Sequence, residues 1–266
     1  MADVARLAAP GSEDAGLLGQ LDLDRLPRHV AVIMDGNGRW ARNRRLPRIA
    51  GHRAGIVSVR ETVESCGQLG ISALTVYAFS KENWKRPKSE IDFLMDLLCE
   101  YMRAELENLR ANNVRVSVIG RLGEMPATVQ RELRIGVEAT AQNTGLLLNL
   151  ALSYGGRAEI VDAMRAMVRR GIRAEDIDEE AIARCLYTAG QPDPDLVIRT
   201  GGEMRVSNFL LWQIAYAELV VTDVLWPDFR KRDLLLALLE FQRRERRFGG
   251  LSPREAAEGS EALVRG

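Results

Sequence analysis

Apolar and polar positions along the chain follow two different periods. Short runs rich in aliphatic and β-branched residues have the length of strands: His29–Met34, Ala73–Phe79, Val114–Ile119, Leu146–Leu152, Asp195–Ile198 and Leu219–Thr222. Between them lie longer stretches with apolar residues three and four apart. These are Gly51–Gly67, Ser89–Asn112, Pro126–Gln142, Arg157–Arg170, Glu179–Ala189, a stretch after Val206, and Arg232–Arg247. Strand–helix alternation of this kind predicts an α/β fold, a single domain with a central parallel sheet flanked by helices on both faces. Ligands of such sheets sit outside the carboxyl ends of the strands. The chemistry is therefore sought in the residues that follow each strand.

No periodicity runs through residues 1–26 or 251–266, and no repeat or linker interrupts the chain between them. We expect a poorly ordered leader, a folded unit over 27–250 and a poorly ordered tail. The chain is 46% hydrophobic and 28% charged, enough to bury a sizeable core. Lys+Arg and Asp+Glu both number 37, which removes any global attraction to nucleic acid or a charged membrane surface. Cys66, Cys99 and Cys185 form neither a C-x-x-C pair nor a metal-ligand spacing, as suits a reducing compartment. The first residues lack the basic start and apolar stretch of a secretory signal, and no apolar run approaches ~18 residues. The expected location is the cytoplasm.

Three polar clusters follow strands. After the first comes Asp35-Gly36-Asn37-Gly38-Arg39-Trp40, then Arg42, Arg44, Arg45, Arg48, His52 and Arg53. The glycines permit close backbone approach to an anion, the carboxylate suits a hard cation, and guanidinium groups grip phosphate with paired hydrogen bonds. Charge alone is equally compatible with a solvated basic loop. After the second strand comes Ser80-Lys81-Glu82-Asn83-Trp84-Lys85-Arg86-Pro87. The fifth is followed by Arg199-Thr200-Gly201-Gly202-Glu203-Met204-Arg205-Val206-Ser207-Asn208, a second arginine- and hydroxyl-bearing glycine turn, and Glu218 opens the last strand. Such clusters at three strand ends of one sheet point to a phosphate-bearing substrate.

The stretch Ser89–Asn112 has two apolar stripes, Ile91, Leu94, Met95, Leu98, Met102 and Leu109 on one side and Phe93, Leu97 and Tyr101 on another. A surface helix needs only one. This helix either is buried or contacts another chain, or it packs on the core with one face and lines an apolar channel with the other. Ser89 with Asp92 also has the spacing of a capping box.

The ordered set HVAVIMDGNGRWA, AGHRAG, LTVYAFSKENWKRP, LLLNLALSYGGRAEI, DLVIRTGGEMRVSNFLLWQIAYAEL, TDVLWPDF and RRERRFGG closely resembles the undecaprenyl diphosphate synthases of bacteria, members of the cis-prenyltransferase family. The resemblance spans residues 27–250. It implies an α/β domain with a hydrophobic tunnel, a homodimer and Mg²⁺ as cofactor. It also implies farnesyl diphosphate as starter, isopentenyl diphosphate as extender, and a long polyprenyl diphosphate, a cell-wall lipid-carrier precursor handed to the membrane, as product. By matched motif, Asp35 is the catalytic and metal-associated carboxylate. Gly36, Asn37, Gly38, Arg39 and Trp40, with Arg48 and His52, bind the allylic diphosphate. Asn83 is the second catalytic position, among the substrate-binding residues Phe79, Ser80, Lys81, Glu82, Trp84 and Arg86. Arg199, Arg205, Val206 and Ser207 bind isopentenyl diphosphate, and Glu218 is a Mg²⁺ ligand. Arg247-Phe248-Gly249 matches an R-x-G ending that reaches across the dimer in relatives.

Other classes fit less well. Gly36-Asn37-Gly38-Arg39-Trp40-Ala41 has dinucleotide-fingerprint spacing, but Arg39 and Trp40 crowd the turn and the second strand ends Phe79-Ser80-Lys81 without an acid for a ribose. An NAD-dependent oxidoreductase is disfavoured accordingly. A non-catalytic partner subunit would lack Asp35 and the phosphate-binding arginines, and an all-helical trans-prenyltransferase would carry aspartate-rich motifs that are absent. The RRERR run at 243–247 falls late in a helix, where cations complement the dipole, so no nucleic-acid partner is expected.

Overall fold

The computed structural model describes residues 7–244 of the 266-residue chain. All six predicted strands are present: β1 (His29–Ile33), β2 (Ala73–Ser80), β3 (Arg115–Ile119), β4 (Leu147–Tyr154), β5 (Leu196–Arg199) and β6 (Glu218–Val221). They form one sheet in the order β3-β4-β2-β1-β5-β6, and every adjacent pair is parallel. Parallel strands need crossovers, and all but the one from β5 to β6 run through helices. In chain order these are α1 (Glu13–Leu18), α2 (Asn37–Asn43), α3 (Arg48–Leu69), α4 (Lys88–Ala111), α5 (Ala127–Ala139), α6 (Gly156–Arg169), α7 (Glu179–Ala183) and α8 (Lys231–Arg243).

Covering both faces explains why β1, β4 and β5 are buried at every position. Successive side chains point to opposite faces. Val30, Val32, Leu74, Val76, Leu148 and Leu150 pack in one cluster with Val59 and Val63 of α3, Leu109 of α4 and Leu234 and Leu238 of α8. The alternate residues Ala31, Ile33, Ala151, Tyr154 and Val197 pack with Phe209 and Leu210. His29, on that second face, is fully buried, with Nδ1 2.7 Å from the Pro192 carbonyl and Nε2 2.8 Å from Thr75 Oγ1.

Four expectations are corrected. Residues 7–26 are packed rather than loose: Leu7 and Leu21 join the larger core cluster, and Ser12 caps α1, which lies against α8. Gln242 and Asp22 exchange hydrogen bonds of 3.0 and 2.6 Å, closing this segment onto α8. The composition hid this because the apolar face being covered belongs to a helix more than 200 residues away. The helix expected over Glu179–Ala189 ends at Ala183, and the Tyr187 N–H donates to the Glu159 carboxylate at 2.8 Å instead. The stretch between Val206 and β6 forms turns rather than the expected helix. There Ser207, Asn208 and Leu210 take left-handed backbone angles, φ 47°, 62° and 46°, which bring Phe209 and Leu210 down onto the sheet. Ser89 does not cap α4. Pro87 precedes its first turn, and the capping box belongs to Ser80 and Asn83 at the turn after β2. The R-x-G residues 247–249 and the tail lie outside the described residues.

If 7–26 belongs to the cooperative fold, Leu7→Ala should cost roughly 2–5 kcal/mol in denaturant unfolding, as core leucine truncations do. Leu23→Ala, at a side chain 45% exposed, should stay within about 0.5 kcal/mol. Equal midpoints for the two variants would separate the segment from the core.

Candidate active site

The chain leaves β1 toward β2 on one side and returns to β5 on the other, so the crevice of this sheet lies between the carboxyl ends of β1 and β5. Two charged residues meet there. Arg199, the last residue of β5 and only 3% exposed, donates from Nη2 to Asp35 Oδ2 at 2.9 Å. Its Nη1 donates to Ser207 Oγ at 2.8 Å and to the Arg205 carbonyl. Arg39 Nη2 stands 3.3 Å from the same Asp35 oxygen, and Arg39 Nη1 donates to the Gly201 carbonyl at 2.5 Å. Burial by itself would raise the Asp35 carboxyl. The Arg199 hydrogen bond and the charges of Arg39 and Arg199 outweigh it and hold the group below its ordinary value. Gly36 makes the turn at φ 111°, where an added Cβ would come within 3.0 Å of the Leu225 backbone.

From this pair an open cleft of about 540 Å³ extends along the loop, lined by Arg39, Arg42, Arg45 and Arg48. Arg48 lies over Gly38, whose missing side chain leaves it room. Behind the cleft, between the sheet, α3 and α4, is an apolar cavity of about 160 Å³. Its polar lining is Asn37, His52, Asn83 and Arg86. The rest is apolar or aromatic, including Ile56, Val59, Val76, Phe79, Leu94, Leu98, Tyr101, Leu150 and Trp226. The helix over 88–111 does line a cavity, but through both stripes, Leu94, Met95 and Leu98 of the first and Leu97 and Tyr101 of the second, so the expected division into one core face and one channel face does not hold. Glu90, 9% exposed, joins cleft to cavity: its Oε1 is 3.0 Å from Arg86 Nη1, 3.1 Å from Arg48 Nε and 3.5 Å from His52 Nε2. Asn37 Oδ1, His52 Nε2 and Arg199 Nε are buried without a hydrogen-bond partner. Such groups cost about 1–3 kcal/mol each, a cost folded proteins bear chiefly where the group has another use.

Asp35, Gly36, Gly38, Arg39, Arg48, Arg199 and Ser207 thus gather at the cleft, and Asn37, His52, Phe79, Asn83 and Arg86 at the cavity. Other predicted residues serve the frame. Trp40 Nε1 donates to Asp228 at 2.7 Å with Arg44 stacked on its ring, and Lys81 pairs with Glu124 at 2.6 Å. Glu82 accepts from Asn208 at 3.0 Å, tying the turn after β2 to the loop after β5. Trp84 packs edge-on to Phe79 and donates to Ser153 at 2.8 Å. Ser80 caps its own turn, the Val206 carbonyl accepts from Phe209 N–H, and Arg205 points to Glu203.

Glu218 is not brought to Asp35 within the chain. It pairs with Leu196 at the amino ends of β6 and β5, three residues back from the Arg199–Val221 level, roughly 10 Å at ~3.3 Å per residue. Its carboxylate instead accepts from Arg244 at 3.0 Å. The sequence held the warning, because a residue that opens a parallel strand lies on the edge opposite the crevice. Two carboxylates at the site were missed. Glu90 is one, hidden inside a helix. Asp223 is the other, following β6 and lying so close to Gly202 that a Cβ there would come within 2.7 Å of its Oδ1. Among the described residues no three His, Cys, Asp or Glu side chains gather as a metal cage. Asp35 alone could offer one carboxylate to a hard cation that takes its other oxygens from a phosphate.

A family model described as putative undecaprenyl diphosphate synthase matches residues 33–249. The chain belongs to that isoprenyl transferase family. The isoprenyl transferase of Heliobacterium mobile is 50% identical over 244 residues, 90% of this chain and 94% of that protein. The isoprenyl transferase of Bacillus subtilis is 52% identical over 230 residues, 85% and 88% of the two chains. The crystal structure of lavandulyl diphosphate synthase from Lavandula x intermedia, in complex with dimethylallyl diphosphate, superposes with a TM-score of 0.82 at 38% identity. A probable undecaprenyl diphosphate synthase from Campylobacter jejuni gives 0.71 at 37%, and each alignment covers 84% of this chain and 98% of the other. As an isoprenyl transferase, the protein is a transferase of isoprenoid biosynthesis that handles prenyl diphosphates, and the basic cleft beside an apolar cavity has the two halves such a substrate requires.

Both histidines titrate abnormally low. Burial lowers His29, and burial with the charge of Arg86 lowers His52 to about 4 despite Glu90. Between pH 6.5, the ordinary value, and about 4, the unfolded chain binds protons that the folded chain refuses, so stability must fall on acidification. The Tm should drop across this window, and His52→Gln should make the drop shallower. Glu159, whose carboxyl burial raises, acts in the opposite sense but is common to both proteins. Parallel Tm–pH curves would show that His52 is not held neutral.

Proposed function

We propose that this isoprenyl transferase condenses isopentenyl diphosphate units in cis geometry onto an allylic diphosphate, farnesyl diphosphate being the starter, to give a long polyprenyl diphosphate. The observation that carries this reading is the junction at Glu90, where an arginine-lined cleft opens beside an apolar cavity. The allylic diphosphate occupies the Arg39–Arg48 side with its hydrocarbon tail between α3 and α4. Isopentenyl diphosphate occupies the Arg199–Ser207 side.

Breaking the allylic C–O bond throws negative charge onto the departing diphosphate. Arg39, Arg48 and Arg86 are preorganised to receive it, and in a partly buried site their charges act with little screening. Asp35, kept ionised, would hold Mg²⁺ together with substrate phosphate oxygens; that ion supplies further charge neutralisation for the leaving group. Asp35 also orients Arg199, and through it Ser207. The proton lost after carbon–carbon bond formation needs a base. The Asn83 carboxamide is a very weak one, and its Oδ1 already accepts from the Ser80 N–H at 3.1 Å. Asn83 therefore orients the reacting carbons, and a diphosphate oxygen or water takes the proton.

A homodimer is part of this reading. Val161, Met164 and Val168, one stripe of α6, are 43%, 57% and 78% exposed, which suits a covered face better than a wet one. Among the described residues no helix is long and apolar enough to cross a membrane, so the product would be handed to the bilayer rather than made by a spanning protein. One observation favours a second reading, a shorter-chain product: the 160 Å³ cavity is near the 150 Å³ size that holds a single benzene.

Incubation with farnesyl diphosphate, radiolabelled isopentenyl diphosphate and Mg²⁺, followed by chromatography of the products, separates these readings by length. No incorporation of label would sink both. Asp35→Asn keeps a hydrogen-bond acceptor for Arg199 but removes the charge that balances it, so Tm should fall while the protein stays folded at assay temperature, and kcat should drop more than tenfold, ~1.4 kcal/mol or more in barrier. Retention of over a tenth of kcat would remove Asp35 from the chemistry. Light scattering should give twice the chain mass; a fully active monomer would exclude the dimer.

A further inference from the structure

Resting on the proposed elongation, we infer that the ion pair between Arg60 and Glu105, which clasps α3 to α4 just beyond the blind end of the apolar cavity, sets the length at which chain growth stops.

The cavity can be followed inward along each wall. On α3 it touches His52, Gly55, Ile56 and Val59, and on α4 Leu94, Leu97, Leu98 and Tyr101. The next residues on these stripes, Val63 and Glu105, are buried but do not line it. On the sheet, Val76 and Leu150 line it, whereas Leu74 and Leu148, two positions nearer the amino ends, are packed solid. The floor therefore lies at the level of Val59, Tyr101, Val76 and Leu150.

Immediately past that level the seam changes character. Arg60 donates to Glu105 Oε1 from Nε at 2.9 Å and from Nη2 as well. Asn108 donates to Glu105 Oε2 at 3.2 Å and reaches Glu64 Oε1 at 3.4 Å, so α3 and α4 are joined by two linked polar contacts. Glu105 is 4% exposed, and burial beside this carboxylate pushes the Tyr101 hydroxyl up. The pair Arg53–Glu100, higher on the same seam, is different: both side chains are more than half exposed and 3.5 Å apart, a contact of little strength.

A cavity of about 160 Å³ holds about one five-carbon unit, judged against the benzene-sized 150 Å³ site. A longer tail must part the helices. Ile56, Val59, Leu94 and Leu98 can yield by changing rotamer. The Arg60–Glu105 clasp resists parting more strongly: the Arg60 side chain, 47% exposed, can turn to water, but separation leaves the carboxylate of the Glu105 side chain, 6% exposed, with Asn108 as its remaining donor. Growth proceeds while burying five more carbons outweighs what has to move, and this pair is the first element on the seam whose displacement is disproportionately unfavourable.

The test uses the full chain with farnesyl diphosphate, radiolabelled isopentenyl diphosphate and Mg²⁺. Glu105→Gln, and the double variant Arg60→Met with Glu105→Leu, should lengthen the main product by at least one five-carbon unit. The initial rate should stay within about twofold of the parent. The charge-swapped protein, Arg60→Glu with Glu105→Arg, should return toward parental length, which a merely structural role would not require. A second readout avoids turnover: affinities for non-reactive allylic diphosphate analogues of increasing tail length should break at a longer tail in the variants. Folded variants with the parental product length and the parental break in affinity would overturn the latch while leaving the elongation reading intact. A parent that incorporates no label would overturn the elongation itself.

Discussion

One ion pair organises the reacting end of this protein. Asp35 and Arg199 close the crevice between the carboxyl ends of β1 and β5, and neither is comfortable alone, since Arg199 is almost wholly buried and Asp35 is half-buried. Each makes the other's charge tolerable. Around them the loops take their places: Thr200 Oγ1 donates to the Asp35 carbonyl at 2.7 Å, Arg39 bridges Asp35 to Gly201, and Ser207 hangs from Arg199. Two strand ends that are far apart in sequence thereby behave as one anion-binding unit.

The loop after β5 needs a second support, which comes from the opposite face of the sheet. Glu159, buried on α6, accepts from the Tyr154 hydroxyl, from the Tyr187 N–H at 2.8 Å and from Gln213 Nε2 at 3.1 Å. Gln213 lies in the same irregular stretch as Ser207, Asn208 and the buried Phe209 and Leu210. A buried carboxylate that accepts from three segments fixes a backbone that has no helix to hold it. The strained left-handed residues 207, 208 and 210 persist because their neighbours over-determine them.

The apolar side obeys a simpler rule. α3 and α4 meet at Glu90 beside the crevice and at Glu105 farther in, and between these two contacts they leave an apolar gap against the sheet. Glu90 Oε1 holds Arg86 and Arg48 at the boundary between wet cleft and dry cavity, with His52 Nε2 3.5 Å away. Head and tail of an amphipathic substrate are thus received by adjacent surfaces of opposite character.

The six strands, the parallel α/β class and the positions of Asp35, Asn83 and Arg199 after strands were legible in the sequence, because each is carried by contiguous residues whose period or local motif fixes it. Tertiary structure decided the rest. Glu218 looked like a partner for Asp35 until the register put it at the amino edge, paired with Arg244. Glu90 carried no signal of its own in the sequence, and only the fold brings Arg48, Arg86 and the neutral His52 to its side chain. Residues 7–26 looked loose until α8 gave Leu7 and Leu21 a surface to cover. Periodicity records which face of an element is apolar. It does not record which distant element will meet that face, and charge, burial and pairing are properties of the meeting.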